Sequence, residues 1–161
     1  HEPYNHSRRI IGFDTFSGFA GTAAQDGGHE IIEEGAFNVT GGYKDYLEGI
    51  LAYHESECPL SHIKKFALVE GDASKTLPAY LEEHPETLVA FAYFDFDIYQ
   101  PTRDCLELLL PRMAKGGIIG FDELCDPQFP GETAAFLEQL GQTYKLRRSP
   151  YSGIQSYVII E

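Results

Sequence analysis

FAYFDFDIYQPT, residues 91–102, is a hydrophobic run that stops abruptly in two carboxylates, Asp95 and Asp97, and then turns to a proline. An apolar run of this kind reads as a parallel strand buried on both faces. Its carboxyl end opens into the crevice where open α/β sheets take their ligands. GGIIGFDEL, residues 116–124, repeats the pattern and ends in Asp122 and Glu123. Two consecutive strands with acidic tips place four carboxylates at one edge, a donor set suited to a divalent cation.

Working outward, the other segments alternate between strand and helix. Strands are expected at Arg9–Phe13, Phe66–Val69, Leu88–Phe94 and Ile118–Phe121. Tyr43, Tyr46, Leu47, Ile50, Leu51 and His54 form an i, i+3, i+4, i+7 stripe, which predicts an amphipathic helix. Short helices are expected at Ala79–His84 and Thr133–Leu140. Pro101 suits the first position of a helix running through Cys105, Leu106, Leu109, Leu110 and Met113, closed by Gly116-Gly117. The runs Tyr144–Arg148 and Ser156–Ile160, joined by SPYSGI, read as a β-hairpin. The polar, Gly-rich stretch from Ser17 to Gly28 reads as loop.

Composition bounds the function. The 161 residues are 43% hydrophobic and 23% charged, enough for one globular domain spanning 1–161. Lys and Arg number 12 against 25 Asp and Glu, a formal charge of −13, which repels a nucleic-acid backbone. The pairs Lys64-Lys65 and Arg147-Arg148 make no basic stripe. No apolar stretch reaches the ~20 residues of a membrane span, and neither membrane nor nucleic acid is expected as a partner. Cys58, Cys105 and Cys125 are widely spaced, without a CxxC or zinc pattern, and read as free thiols in a reducing cytoplasm. The six histidines share no ligand spacing; His29, in the Gly-rich loop, is the best placed of them for a base.

Five segments in order, FDTFSGF (13–19), GDASKTLP (71–78), FDFDIYQPT (94–102), GGIIGFDEL (116–124) and PGETAAF (130–136), together resemble the macrocin O-methyltransferase family. The resemblance implies a class I methyltransferase fold, Rossmann-like: a mostly parallel sheet with helices on both faces and a reversed last strand in a C-terminal antiparallel hairpin. It implies S-adenosylmethionine as methyl donor and a sugar or glycoside hydroxyl as acceptor, with a divalent metal, usually magnesium, beside that hydroxyl. It also implies that the segment 20–57 is a lid over the acceptor. The family's first strand and Gly-rich turn should precede FDTFSGF, where only eight residues stand before Arg9. That strand lies between those expected at Arg9–Phe13 and Leu88–Phe94, so the chain is expected to be a fragment, or to have the gap filled by another chain. The oligomeric state is open, a homo-oligomer included.

Roles follow from the same resemblance, each beside a plainer reading. Asp95 is assigned to metal and cofactor and Asp97 to the metal or to the catalytic base, strand alternation aiming both to one side; Asp97 also suits the cap of the following helix. Asp122 is a metal ligand and Glu123 a longer-reaching one, or a solvated loop acid. Asp14, with Thr15 and Phe16, is expected on the cofactor's ribose side, a turn role for Asp14 being equally compatible. Asp72, Ala73 and Ser74 fall on the adenine side, where Asp and Ser are also ordinary helix starters. The phenylalanines and tyrosines of the strands, Phe91 and Tyr93 included, are expected in the core, with Phe16 and Tyr99 as candidates for the pocket wall. A DxD sequence also suits a metal-dependent phosphatase or a nucleotide-sugar glycosyltransferase. The phosphatase pattern wants its DxD near the domain's start, and the glycosyltransferase does not need FDEL or PGETAAF. A non-catalytic interaction module is the remaining class.

Overall fold

The core forms where the strand ending at Phe94 meets the one ending at Phe121. Their rings stack at 5.4 Å between centroids, and Phe136 closes on Phe121 edge-on at 5.3 Å. Leu106, Ile119, Leu140 and Val158 are sealed around them. Burial of such side chains is worth ~1.5–3 kcal/mol each. The computed structural model describes residues 4–161; His1 and the first residues of the expected domain lie outside them.

The elements run β1 (Ile10–Asp14), α1 (Tyr43–Ser56), β2 (Phe66–Glu70), α2 (Ala73–Glu83), β3 (Val89–Phe94), α3 (Tyr99–Leu109), β4 (Met113–Phe121), α4 (Pro130–Gln139), β5 (Arg147–Arg148) and β6 (Ser156–Ile159). β1 pairs parallel with β2, and β3 parallel with β4. β6 runs antiparallel to β4 and carries β5 on its far side, which is the expected hairpin. Helices α2, α3 and α4 pack one against the next, and α1 lies against β2. This is the class I methyltransferase plan, mostly parallel with a reversed last strand.

The sheet is in two pieces, β1-β2 and β3-β4-β6-β5. Among the described residues no strand joins β1 to β3, which is where the resemblance places the family's first strand. The apolar side chains around these free edges are open: Ile10 is 74% exposed, Phe91 62% and Tyr93 45%. The expectation that alternation buries Phe91 and Tyr93 is therefore corrected, because alternation buries a residue only where a neighbour covers its face.

Three helix starts are also corrected, the simplest being α4, which begins at Pro130, three residues before the expected Thr133, with the proline in its first turn. α2 begins at Ala73, six residues before the expected Ala79, because Asp72 caps it by accepting the Ser74 N–H at 3.0 Å. Pro78 sits inside the helix, past the first turn, where it forfeits the bond its missing N–H would have made and its ring crowds the carbonyl of the turn before. α3 begins at Tyr99, so Pro101 is its third residue; an N–H there needs no intrahelical partner, and its absence is harmless. α3 ends at Leu109, well before Gly116-Gly117. A 3-10 turn at Leu110–Arg112 leads into β4, which is longer than expected and shifts register against β3 between Val89 and Phe91.

Candidate active site

Backbone hydrogen bonds carry each parallel pair one step past its last residues. The Gly71 N–H donates to Asp14 O at 2.9 Å, and the Asp122 N–H donates to Phe94 O at 3.1 Å. The second bond sets the start of the Asp122-Glu123 tip directly beside the start of the Asp95-Asp97 tip. A cavity of about 470 Å³ opens between the two strand pairs. Asp14, Thr15, Asp72, Ala73 and Ser74 line it from β1 and β2, and Asp95 and Asp97 from β3. Gly18–Ala23, Phe37 and Val39, from the segment after β1, complete the wall. Four of its side chains are carboxylates and none is Lys or Arg.

Each expected residue has a local reason for its place. Asp14 accepts the Phe16 N–H at 2.7 Å, and the Thr15 hydroxyl donates to Gly18 O at 2.6 Å, so FDTFSGF folds back on itself as a tight turn. Asp14 thus makes the turn and also faces the cavity. Asp72 caps α2 and faces the cavity too. Burial works against its ionisation, but the Lys75 ammonium at 3.0 Å and the Ser74 N–H outweigh this and hold its carboxyl below the usual range.

Asp97 is not the helix cap. Ile98 occupies that position and makes no side-chain cap bond. Asp97 instead has φ +62°, a left-handed conformation unusual for a residue with a Cβ. The turn around it closes with Ile98 N–H donating to Phe96 O at 2.6 Å. Strand alternation therefore does not govern where Asp95 and Asp97 point, since β3 ends at Phe94. Strained backbone of this kind gathers at functional sites.

The acids raise one another. Burial first, and then the charges of Asp95 and Asp122, push the Asp97 carboxyl up to about 6. Asp95 is raised by burial and by Asp122 and Asp14. Glu123 is pushed up to about 7 by burial and by Asp122, Asp97, Asp126 and Asp95. Such a donor set has the chemistry of a hard-cation site. The side chains as placed do not complete one: among the described residues no three His, Cys, Asp or Glu are grouped to hold a metal ion. Asp122 Oδ1 is occupied otherwise, accepting from the Tyr93 hydroxyl and, at 2.7 Å, from Gln155 Nε2. Asp122, Glu123 and Phe16 are not in the cavity wall. Tyr99 is not in it either, its hydroxyl donating to Glu138.

Three further residues belong to the site's surroundings. Glu132, of PGETAAF, is fully buried and accepts the Glu123 N–H at 3.1 Å, while its other oxygen has no partner. Burial pushes it up to about 8 despite that bond. Asp26 is 1% exposed and bonds across the fold to α3. Gln155 reaches Asp122 from the hairpin. The motif containing Glu132 was the available signal; nothing in AQDGG or SGIQS marks the other two.

No protein-family profile and no curated protein matches the chain. Solved structures do. One titled as the calicheamicin methyltransferase CalS11 is 43% identical with a TM-score of 0.94; the match covers 98% of this chain and 62% of that one. An apo structure, titled as CalS11, TDP-rhamnose 3'-O-methyltransferase of calicheamicin biosynthesis, is 40% identical with a TM-score of 0.82, covering 98% and 60%. The O-methyltransferase NovP shares the fold at 15% identity and a TM-score of 0.64, covering 96% and 60%. The chain thus spans somewhat under two thirds of these relatives' length. No helix among the described residues is long and apolar enough to cross a membrane.

Proposed function

We propose that this chain, which belongs to the O-methyltransferases of the macrocin type by its fold and shared residues, passes the methyl group of S-adenosylmethionine to a hydroxyl of a sugar or glycosylated natural product. The observation that carries this reading is the single cavity joining Asp14 and Asp72–Ser74 to Asp95 and Asp97. Its wall of carboxylates without a cation complements a donor bearing a sulfonium and an ammonium. Asp14 is placed for the ribose hydroxyls, with Thr15 and Phe16 in the turn it holds, and Asp72 with Ala73 and Ser74 for the adenine side.

In the transfer, the acceptor oxygen attacks the methyl carbon, the carbon–sulfur bond breaks, and sulfur keeps the electron pair. The hydroxyl proton goes to Asp97. A carboxyl raised to about 6 is mostly ionised at neutral pH yet basic enough to share that proton. Alignment of oxygen, methyl and sulfur supplies most of the remaining acceleration. A divalent cation, magnesium by donor chemistry, would be held by Asp95 and Asp122 with Glu123, and would supply charge neutralisation beside the acceptor oxygen.

The test is transfer of labelled methyl from S-adenosylmethionine to TDP-rhamnose, the sugar nucleotide named for one similar structure, and to a panel of glycosides. Asp97→Ala should lower turnover by roughly 100-fold or more, and Asp95→Ala should abolish it. Unchanged turnover in Asp95→Ala would sink the site assignment, and failure to bind S-adenosylmethionine would sink the reading itself.

A further inference from the structure

Asp26 has no place in the chemistry above, yet it is among the most completely buried acids of the fold, 1% exposed. It closes a 3-10 turn, Ala24–Asp26, in the middle of the segment that walls the cavity. One carboxyl oxygen accepts the Ala23 N–H at 2.6 Å, within its own turn. The other accepts the Tyr99 N–H, also at 2.6 Å, 73 residues along the chain. Tyr99 is the first residue of α3, two after Asp97.

α3 has no local cap, because Ile98 offers only an aliphatic side chain. An uncapped first turn leaves backbone N–H groups without partners, and here the missing acceptor comes from Asp26. The same few residues carry the strained turn at Asp97. Beyond its own Phe96–Ile98 bond, that turn is held at Ile98 O by the buried Thr102 hydroxyl at 2.8 Å and at Tyr99 N by Asp26. A strained conformation persists only when its surroundings over-determine it.

PGETAAF makes room for the contact. A Cβ at Gly131 would lie 2.0 Å from Asp26 Oδ1 and 2.6 Å from Tyr99 N, so only glycine lets α4 close over the bond. Three distant stretches, AQDGG, DIYQP and PGE, therefore meet at one carboxyl.

We propose that Asp26 is a positioning residue for Asp97: it latches the cavity-walling segment to the first turn of α3 and so fixes the strained turn that aims the base. This rests on the methyl-transfer reading for its catalytic consequence, but the latch is readable without turnover.

The experiment compares Asp26→Ala, Asp26→Asn and Gly131→Ala with the parent chain by amide hydrogen exchange and by methyl-transfer kinetics. Asp26→Ala should speed exchange both in residues 20–40 and in 96–102, and should lower kcat by roughly 100-fold, the cost of a misplaced catalytic group, a larger change than any rise in KM for S-adenosylmethionine, whose cavity the same segment walls. Asp26→Asn keeps one acceptor oxygen for the Tyr99 N–H but sets its amide NH2 against the Ala23 N–H, so it should recover both only in part. Gly131→Ala, which keeps the carboxyl but crowds it, should reproduce the paired change in exchange should Asp26→Ala fail to fold. Faster exchange confined to 20–40, or kcat at the parent value with the latch open, overturns the proposal. A parent chain that binds S-adenosylmethionine without transferring methyl counts against the functional reading; the exchange pattern then decides the latch alone.

Discussion

Glu132 is an acid buried at the first turn of α4, and its two oxygens have unequal fates. One accepts the N–H of Glu123; the other meets no partner. A carboxylate in that position would leave a desolvated charge, so burial raises the group to about 8 and it is protonated at neutral pH. At pH 7 the parent takes up a proton on folding that Glu132→Gln does not need, so the comparison belongs near pH 4, where both side chains are neutral folded and unfolded: there Glu132→Gln, an amide of the same shape that keeps the acceptor oxygen, should match the parent's unfolding free energy in urea. Glu132→Ala strands the Glu123 N–H and should cost about 1–3 kcal/mol. A glutamine variant as unstable as the alanine one would refute the neutral-acid reading. Residue identity alone announced Asp14, Asp72, Asp95 and Asp97, because acids at strand tips stand out against apolar runs. It could not announce Asp26 or Gln155, whose partners lie 73 and 33 residues away.

At the scale of elements, strands were legible to within a few residues, since a buried parallel strand writes itself as an uninterrupted apolar run. Helix starts were not, and the misses at α2 and α3 share a cause. A start is fixed by whatever accepts the first N–H groups, and for α3 that acceptor comes from another part of the chain. For α2 the signal was present in GDAS, but Pro78 reads as a breaker when only local rules are applied. Capping outweighs it. Asp72→Ala should therefore destabilise the chain by ~1 kcal/mol, measured by chemical denaturation. Lys75→Ala, which removes only an ion pair made by a lysine that is itself 81% exposed, should have a far smaller effect. Equal losses in the two variants would mean that the charge pair, and not the cap, sets the helix start. PGETAAF was legible only as part of a resemblance; its glycine and glutamate acquire a reason once Asp26 and Glu123 are seen to dock there.

Across the whole molecule, the acids that frame the candidate site act together, and pH should expose this. Asp95, Asp97, Glu123 and Glu132 all hold protons more tightly when folded than when unfolded, against ordinary values of 3.8 for Asp and 4.5 for Glu. Between those values and the raised ones the folded state binds more protons, so stability falls with rising pH. The contribution of these four is complete below about pH 4 and is lost progressively up to about pH 8. Asp72 works in the opposite direction, its stabilisation present above 3.8 and lost as pH falls through its lowered value. The sum places the optimum at mildly acidic pH, so urea midpoints should be higher near pH 5 than near pH 8. The formal charge of −13 adds a general repulsion of the same sign. Magnesium separates the local contribution from the general one. At pH 8, a low concentration of magnesium chloride should raise the midpoint beyond what sodium chloride of equal ionic strength achieves, and Asp95→Asn combined with Asp122→Asn should remove that excess. Equal effects of the two salts would leave the acidic tips as mutual repulsion without a cation, and would argue for proton transfer to Asp97 without metal assistance.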